Sequence, residues 1–139
     1  MKKLFFVMCL AAISFLLPKN TFAQVVYQEY ATIDSVKVEY RWQRERFFAA
    51  DSHAILNLQL TNVSETPVQL SFVAAYYSDG IIFFETEEQS ICLLPGQTKR
   101  GNRAGLRFMA EGITMSKVEA EGFSWDIPFM DVVGVQNCD

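Results

Sequence analysis

The stretch Ala54–Phe84 reads AILNLQL-TNVSETP-VQLSFVAAYY-SDG-IIFF, three apolar runs parted by two turns. In the first run Ala54, Leu56, Leu58 and Leu60 alternate with Asn57, Gln59 and Thr61. A period of two sends the sets to opposite faces, so this is a strand with one buried side. Asn62-Val63-Ser64-Glu65-Thr66-Pro67 is turn chemistry. Asn and Ser side chains hydrogen-bond nearby backbone, and proline has no N–H for a ladder. Val68, Leu70, Phe72, Ala74 and Tyr76 then form the inner face of a longer strand. Its other face starts polar at Gln69 and Ser71 and turns apolar at Val73, Ala75 and Tyr77. A strand apolar on both faces over half its length is central there, or covered. Ser78-Asp79-Gly80 predicts a tight hairpin, because Asp-Gly accepts the positive φ it needs. Ile81 to Phe84 returns as a short strand.

Upstream, Val36, Val38, Tyr40 and Trp42 alternate with Lys37, Glu39, Arg41 and Gln43, a second half-buried strand. Residues 24–31 read as an edge strand or a loose terminus. Residues 44–52 read as a bulged continuation, a loop or a helical turn. Downstream, Ile91-Cys92-Leu93-Leu94 is apolar and Pro95-Gly96 is a type II turn pair. Ala104, Leu106 and Phe108 alternate with Arg103, Gly105 and Arg107, which predicts a strand. Glu111-Gly112 predicts a turn. Val118, Ala120 and Gly122 alternate with Lys117, Glu119 and Glu121. A segment with Trp125 and Pro128 follows, and Val132 to Val135 reads as a last strand before Cys138. The total is seven to nine short strands at roughly ten-residue spacing, with no helical period. The expected fold is all-β, an antiparallel sandwich, with a small closed β-barrel as the alternative.

The order of strand, Asn62-Val63-Ser64 turn with Pro67, long strand, Asp79-Gly80 and Leu94-Pro95-Gly96-Gln97 resembles the immunoglobulin-like and fibronectin-III-like modules of exported bacterial proteins. The resemblance covers about Ala54 to Phe108. It implies a two-sheet architecture and a bias toward binding roles, and it carries over no site residues. The chain lacks the Cys…Trp…Cys spacing of antibody domains.

The N-terminus reads as a secretory signal over residues 1–23. Lys2 and Lys3 precede an uncharged apolar run from Leu4 to Leu17, and Thr21-Phe22-Ala23 supplies small residues at a cleavage site. The apolar run falls short of the roughly 20 residues of a membrane span. Cleavage would leave residues 24–139 as one domain, exported to a periplasm or the medium. The signal holds Lys2, Lys3 and Lys19, so nine of the 12 basic residues remain against 16 acidic ones, a net charge of −7. That charge argues against nucleic acid as a partner. Cys92 and Cys138 remain, and an even pair in an exported chain predicts a disulfide. Two buried free thiols are the alternative.

Candidate chemistry is sparse. Asp51-Ser52-His53 holds the residue types of a catalytic triad, but three consecutive side chains cannot converge as one. A turn is the reading there. Glu85, Glu87 and Glu88 with Asp79 offer oxygens for calcium without a ligand loop of known spacing. No metal or cofactor is expected. Lys99, Arg100, Arg103 and Arg107 form a basic patch suited to an acidic partner or a sulfated or phosphorylated glycan. The plainer reading makes Arg103 and Arg107 the outer face of one strand, paired to neighbouring carboxylates. The aromatics are the most suggestive feature. Tyr76-Tyr77 and Phe83-Phe84 are consecutive pairs, so one member of each should leave the core face. Tyr77, Phe83 and Phe84, with Trp42 and Trp125, are the candidate binding residues, unless a second layer covers them. The expected function is a non-catalytic binding module with a protein partner. A carbohydrate-binding module and a small enzyme inhibitor are the alternatives.

Overall fold

The computed structural model describes residues 26–138, so the signal read over residues 1–23 lies outside the described residues. These fold into nine strands: β1 Gln28–Ile33, β2 Val36–Arg44, β3 His53–Asn62, β4 Val68–Ser78, β5 Ile81–Glu85, β6 Gln89–Leu93, β7 Thr98–Arg100, β8 Arg107–Thr114 and β9 Phe123–Gly134. A one-turn helix, α1 Met115–Val118, joins β8 to the approach of β9.

The two long strands of the quoted stretch each found a sheet. β3 pairs along its length with β2, from Val36↔Asn62 to Arg44↔Ala54. Its other side is shared, β8 taking the first half and β7 pairing Gln59 to Thr61. β1 completes that sheet beyond β2. β4 repeats the plan: β9 runs along one side, while β6 and β5 divide the other. Every pairing is antiparallel and neither sheet closes on itself, so the fold is a two-sheet β-sandwich and not a barrel. Leu56, Leu58 and Leu60 of β3 and Leu70, Phe72 and Tyr76 of β4 are fully buried in the layer between, with Val36, Val38, Leu93, Leu106 and Ile113. The alternation read from the sequence is therefore the core.

Turn chemistry sets the hairpins. Asp79 (φ 50°) and Gly80 (φ 80°) make the expected tight β4–β5 turn. Asp34 (φ 42°) and Ser35 (φ 72°) make an equivalent β1–β2 turn that the sequence reading passed over. In the Pro95-Gly96 turn the Gln97 N–H donates to the Leu94 carbonyl at 2.9 Å. Asn62 ties this turn to the β3–β4 turn. It is fully buried, and its Nδ2 donates to the carbonyls of Thr66 (2.8 Å) and Leu93 (3.2 Å). Its Oδ1 accepts from the N–H (2.9 Å) and hydroxyl (2.7 Å) of Ser64. At the same end Cys92 and Cys138 lie at disulfide distance, their Cα atoms 5.5 Å apart.

Four expectations change downstream. The strand read over 103–108 starts only at Arg107, because residues 102–104 form a 3-10 turn closed by Gly105 at φ 70°. Arg103 thus sits in a turn, not on a strand face. Glu111-Gly112 is no chain reversal: β8 runs through it with a register irregularity, Gly112 taking φ 76°. Residues 115–118 are helical although the pattern from Lys117 to Gly122 alternates. The Trp125 segment and the last strand are one strand, β9, which crosses Pro128 where its register against β4 shifts. Proline lacks an N–H, and a bulge is where a strand tolerates it.

Candidate functional site

The sandwich has two unlike ends. The end with Asn62 and Cys92–Cys138 is aliphatic, and the opposite end is aromatic. Tyr40 and Trp42 come from the inner phase of β2, and Phe123 and Trp125 from the first residues of β9. Facing across the layers, Tyr40 and Trp125 have ring centroids 4.8 Å apart and Trp42 and Phe123 5.6 Å apart. Trp42 also meets the buried Tyr76 at 5.4 Å. These four rings, with Met115 and Val118 of α1, line a groove of about 580 Å³. All four rings are half-buried, so each keeps part of its surface for a ligand. Gln28, Arg41, Glu119 and Ser124 give the groove a polar border. Both tryptophans singled out from the sequence thus meet in one place.

The other three aromatics divide. Tyr76 pairs with Phe84 across β4–β5, and Tyr77 with Ile82, so Phe83 is an extra residue at a bulge. The bulge lets both phenylalanines reach Tyr76, Phe84 at 4.9 Å and Phe83 at 6.4 Å. Simple alternation had sent them to opposite faces. Phe84 is half-buried and packs on the core. Phe83 stays 42 % exposed and lies 6.4 Å from Phe123, beside the groove. Tyr77 keeps the outer phase of β4, half-buried. Burial of the Tyr76 phenol raises its pKa above the ordinary tyrosine value. The Tyr30 hydroxyl, bonded to the Asp126 carboxylate and accepting from the Ile127 N–H at 3.3 Å, latches β1 to β9. Its pKa is also raised, by burial first and by Asp126 second.

The β2–β3 loop supplies a feature that the sequence reading missed. Phe47 and Phe48 stand 83 % and 97 % exposed on it, edge to face at 5.1 Å. The signal was there: two adjacent phenylalanines in a segment without strand alternation have no buried face assigned to them. The same loop disposes of a triad. The Ser52 hydroxyl donates to the Arg46 carbonyl at 3.2 Å, while His53 Nδ1 lies 3.3 Å from Glu45 Oε2. Among the described residues no three His, Cys, Asp or Glu side chains converge as a metal cluster, and Asp79 is not gathered with Glu85, Glu87 and Glu88. No helix among them is long and apolar enough to cross a membrane.

The basic patch splits. Lys99 and Arg103 line a recess of about 760 Å³ beside Cys92 and Cys138. Arg100 borders that recess and also a smaller one, about 450 Å³, on the outer face of the β1–β2–β3 sheet. Arg107 lines the smaller one, together with Arg41, which the sequence reading had not grouped with it, and on its other side a recess that it shares with Glu85 and Glu87. The ion pairs among the described residues are Lys37 with Glu29 and Glu39, and His53 with Glu45. Arg103 and Arg107 are therefore not paired to neighbouring carboxylates, contrary to the plainer reading. No family model matches the chain, and neither a curated protein nor a solved structure does.

Proposed function

We propose that the chain is an exported, non-catalytic module, immunoglobulin-like in its two-sheet build, that binds a protein partner with its aromatic end. The groove formed by Tyr40, Trp42, Phe123 and Trp125 is the observation that carries this reading. Aromatic and methionine side chains are enriched where proteins bind each other, and rings already held in place lose little entropy on contact. Met115 and Val118 finish the wall with aliphatic surface, which suits an apolar peptide side chain better than a hydroxyl-rich sugar. Phe47 and Phe48 on the adjacent loop extend the contact beyond the groove. The N-terminal Lys2-Lys3, apolar run and Thr21-Phe22-Ala23 support export, as does the Cys92–Cys138 pair.

The chain's two tryptophans both line the groove, so intrinsic fluorescence reports its occupancy. The test selects peptides from a displayed library against the full exported chain and runs a glycan array in parallel. Selected peptides are expected to blue-shift the tryptophan emission and to lose binding in Met115→Glu. Glycan binding without peptide binding would replace this reading with the carbohydrate one. Peptides whose binding ignores Met115→Glu would move the site elsewhere.

A further inference from the structure

The outer face of the β1–β2–β3 sheet, on the opposite side of that sheet from the core, carries a recess rich in arginine. Strand register builds it. Arg41 of β2 stands opposite Asn57 of β3, and Asn57 stands opposite Arg107 of β8. One row further along the same face, Gln59 stands opposite Arg100 of β7. Three guanidinium groups from three strands thereby border one recess of about 450 Å³. Its floor is Asn57, only 4 % exposed, a polar residue where the outer face of a sheet is usually solvated.

None of the three arginines forms an ion pair among the described residues, although the chain is acidic overall. Glu39, on the same strand as Arg41 and opposite Gln59, is already engaged by Lys37 Nζ at 2.9 Å and Gln59 Nε2 at 2.7 Å, while Glu45 near Arg41 and Glu85 and Glu87 near Arg107 lie outside ion-pair range of them. Arg41 is also held in place. Its Nη2 donates to Gln43 Oε1 at 2.7 Å, and its guanidinium lies 5.3 Å over the Tyr27 ring. Its Nε is buried and has no hydrogen-bond partner. Like charges gathered around a recess repel, and an anion placed between them relieves that repulsion.

We infer that this recess binds a tetrahedral oxyanion, the sulfate or phosphate group of a small monoester. Guanidinium forks match such oxygens two at a time, and three cations suit a tetrahedral group better than the two oxygens of a carboxylate. The recess is larger than one bare anion, which leaves room for the ester's first carbons beside Tyr27.

The test titrates the folded full chain with methyl phosphate and methyl sulfate, then with inorganic phosphate and sulfate, following backbone amide shifts by NMR. Sodium acetate and chloride at matched ionic strength are the controls. Saturable shifts confined to strands β2, β3, β7 and β8 are expected with the monoesters. Arg107 is exposed, so Arg107→Gln should fold normally and weaken binding about tenfold. Arg41→Gln should do the same, and Lys117→Gln, which removes a cation elsewhere, should not. A linear, unsaturable titration would overturn the inference, as would equal shifts with acetate. Binding of the inorganic ions with rejection of both monoesters would overturn the ester assignment. Peptide binding at the aromatic groove is expected to persist in Arg107→Gln, so the two sites fail separately.

Discussion

Asn62→Ala should be among the most damaging single changes in the domain. The side chain is fully buried and makes four hydrogen bonds. Two run to the Ser64 N–H and hydroxyl, one to the Thr66 carbonyl and one to the Leu93 carbonyl. Each is worth about 1 kcal/mol net, and a buried group left without its partner costs about 1–3 kcal/mol. Ser64 is half-buried and Thr66 is exposed, so water recovers part of what those groups lose. Leu93 is fully buried, so its carbonyl recovers nothing. The sum is about 3 kcal/mol, which in a domain of this size lowers Tm by roughly 12 °C. Urea unfolding should show a lower midpoint with an unchanged m-value, since the backbone bonds of Asn62 to Gly96 and Gln97 survive. Ser64→Ala removes only the hydroxyl's bonds to Asn62 Oδ1 and the Thr66 carbonyl, keeps the Ser64 N–H bond, and should cost about 1 kcal/mol. Asn62→Asp can still accept both bonds from Ser64 but turns a carboxylate oxygen toward two carbonyls, and should cost more than alanine. If Asn62→Ala lies within about 1 kcal/mol of the parent, or matches Ser64→Ala, the turn-tying role assigned to Asn62 is refuted.

Reduction of Cys92–Cys138 opens a loop with a sequence separation of 46 residues, and the chain-entropy relation sets the loss at about 4 kcal/mol. Unfolding with and without a reductant measures it, and coincident curves would mean that the pair is not bonded. The Lys37 ammonium holds the Glu39 carboxyl below its ordinary value of 4.5, so the folded state binds that proton less readily than the unfolded chain. The stabilisation is complete above that value and fades as pH falls through the folded pKa. Glu39→Gln should therefore lower stability at neutral pH, and the gap to the parent should close in acid. A gap independent of pH would leave the ion pair without a role. Tyr76 runs the other way. Burial raises its pKa above 10.0, so its contribution holds below that value and is lost as alkali forces ionisation. An absorbance titration should show one phenol ionising only as the protein unfolds, and Tyr76→Phe should abolish that step.

Strands were legible where alternation ran over eight or more residues, as in β2, β3 and β4, whereas the shorter alternations over 103–108 and 117–122 misled. The two-layer fold followed from them. β7 has only three residues, too few for a period to register, and it lies in a polar segment. The onset of β8 was displaced because Gly105 takes a left-handed φ that the pattern does not record. The aromatic groove was half legible. Trp42 and Trp125 were recognisable as candidates, but their meeting depends on how two sheets pack. Phe83 and Phe84 misled because a one-residue bulge cancels the alternation on which the reading rested. The arginine recess was the least legible. Arg41 and Arg107 are 66 positions apart in the chain, and only the pairing of both strands with Asn57 brings them into one row.

The two ends also explain why the exposed aromatic surface sits where it does. Asn62 and Cys92–Cys138 fix the turns and the C-terminal tail at one end. With the sheets fixed there, the opposite end can leave rings half-covered and carry a loop with Phe47 and Phe48 in solvent. One consequence separates the two roles. Asn62→Ala and reduction of the disulfide both act at the tied end, away from Trp42 and Trp125. Each should lower the unfolding midpoint while leaving the native tryptophan emission at its parent wavelength. A red shift in the folded variant would show that the tied end holds the groove in shape as well as holding the fold together.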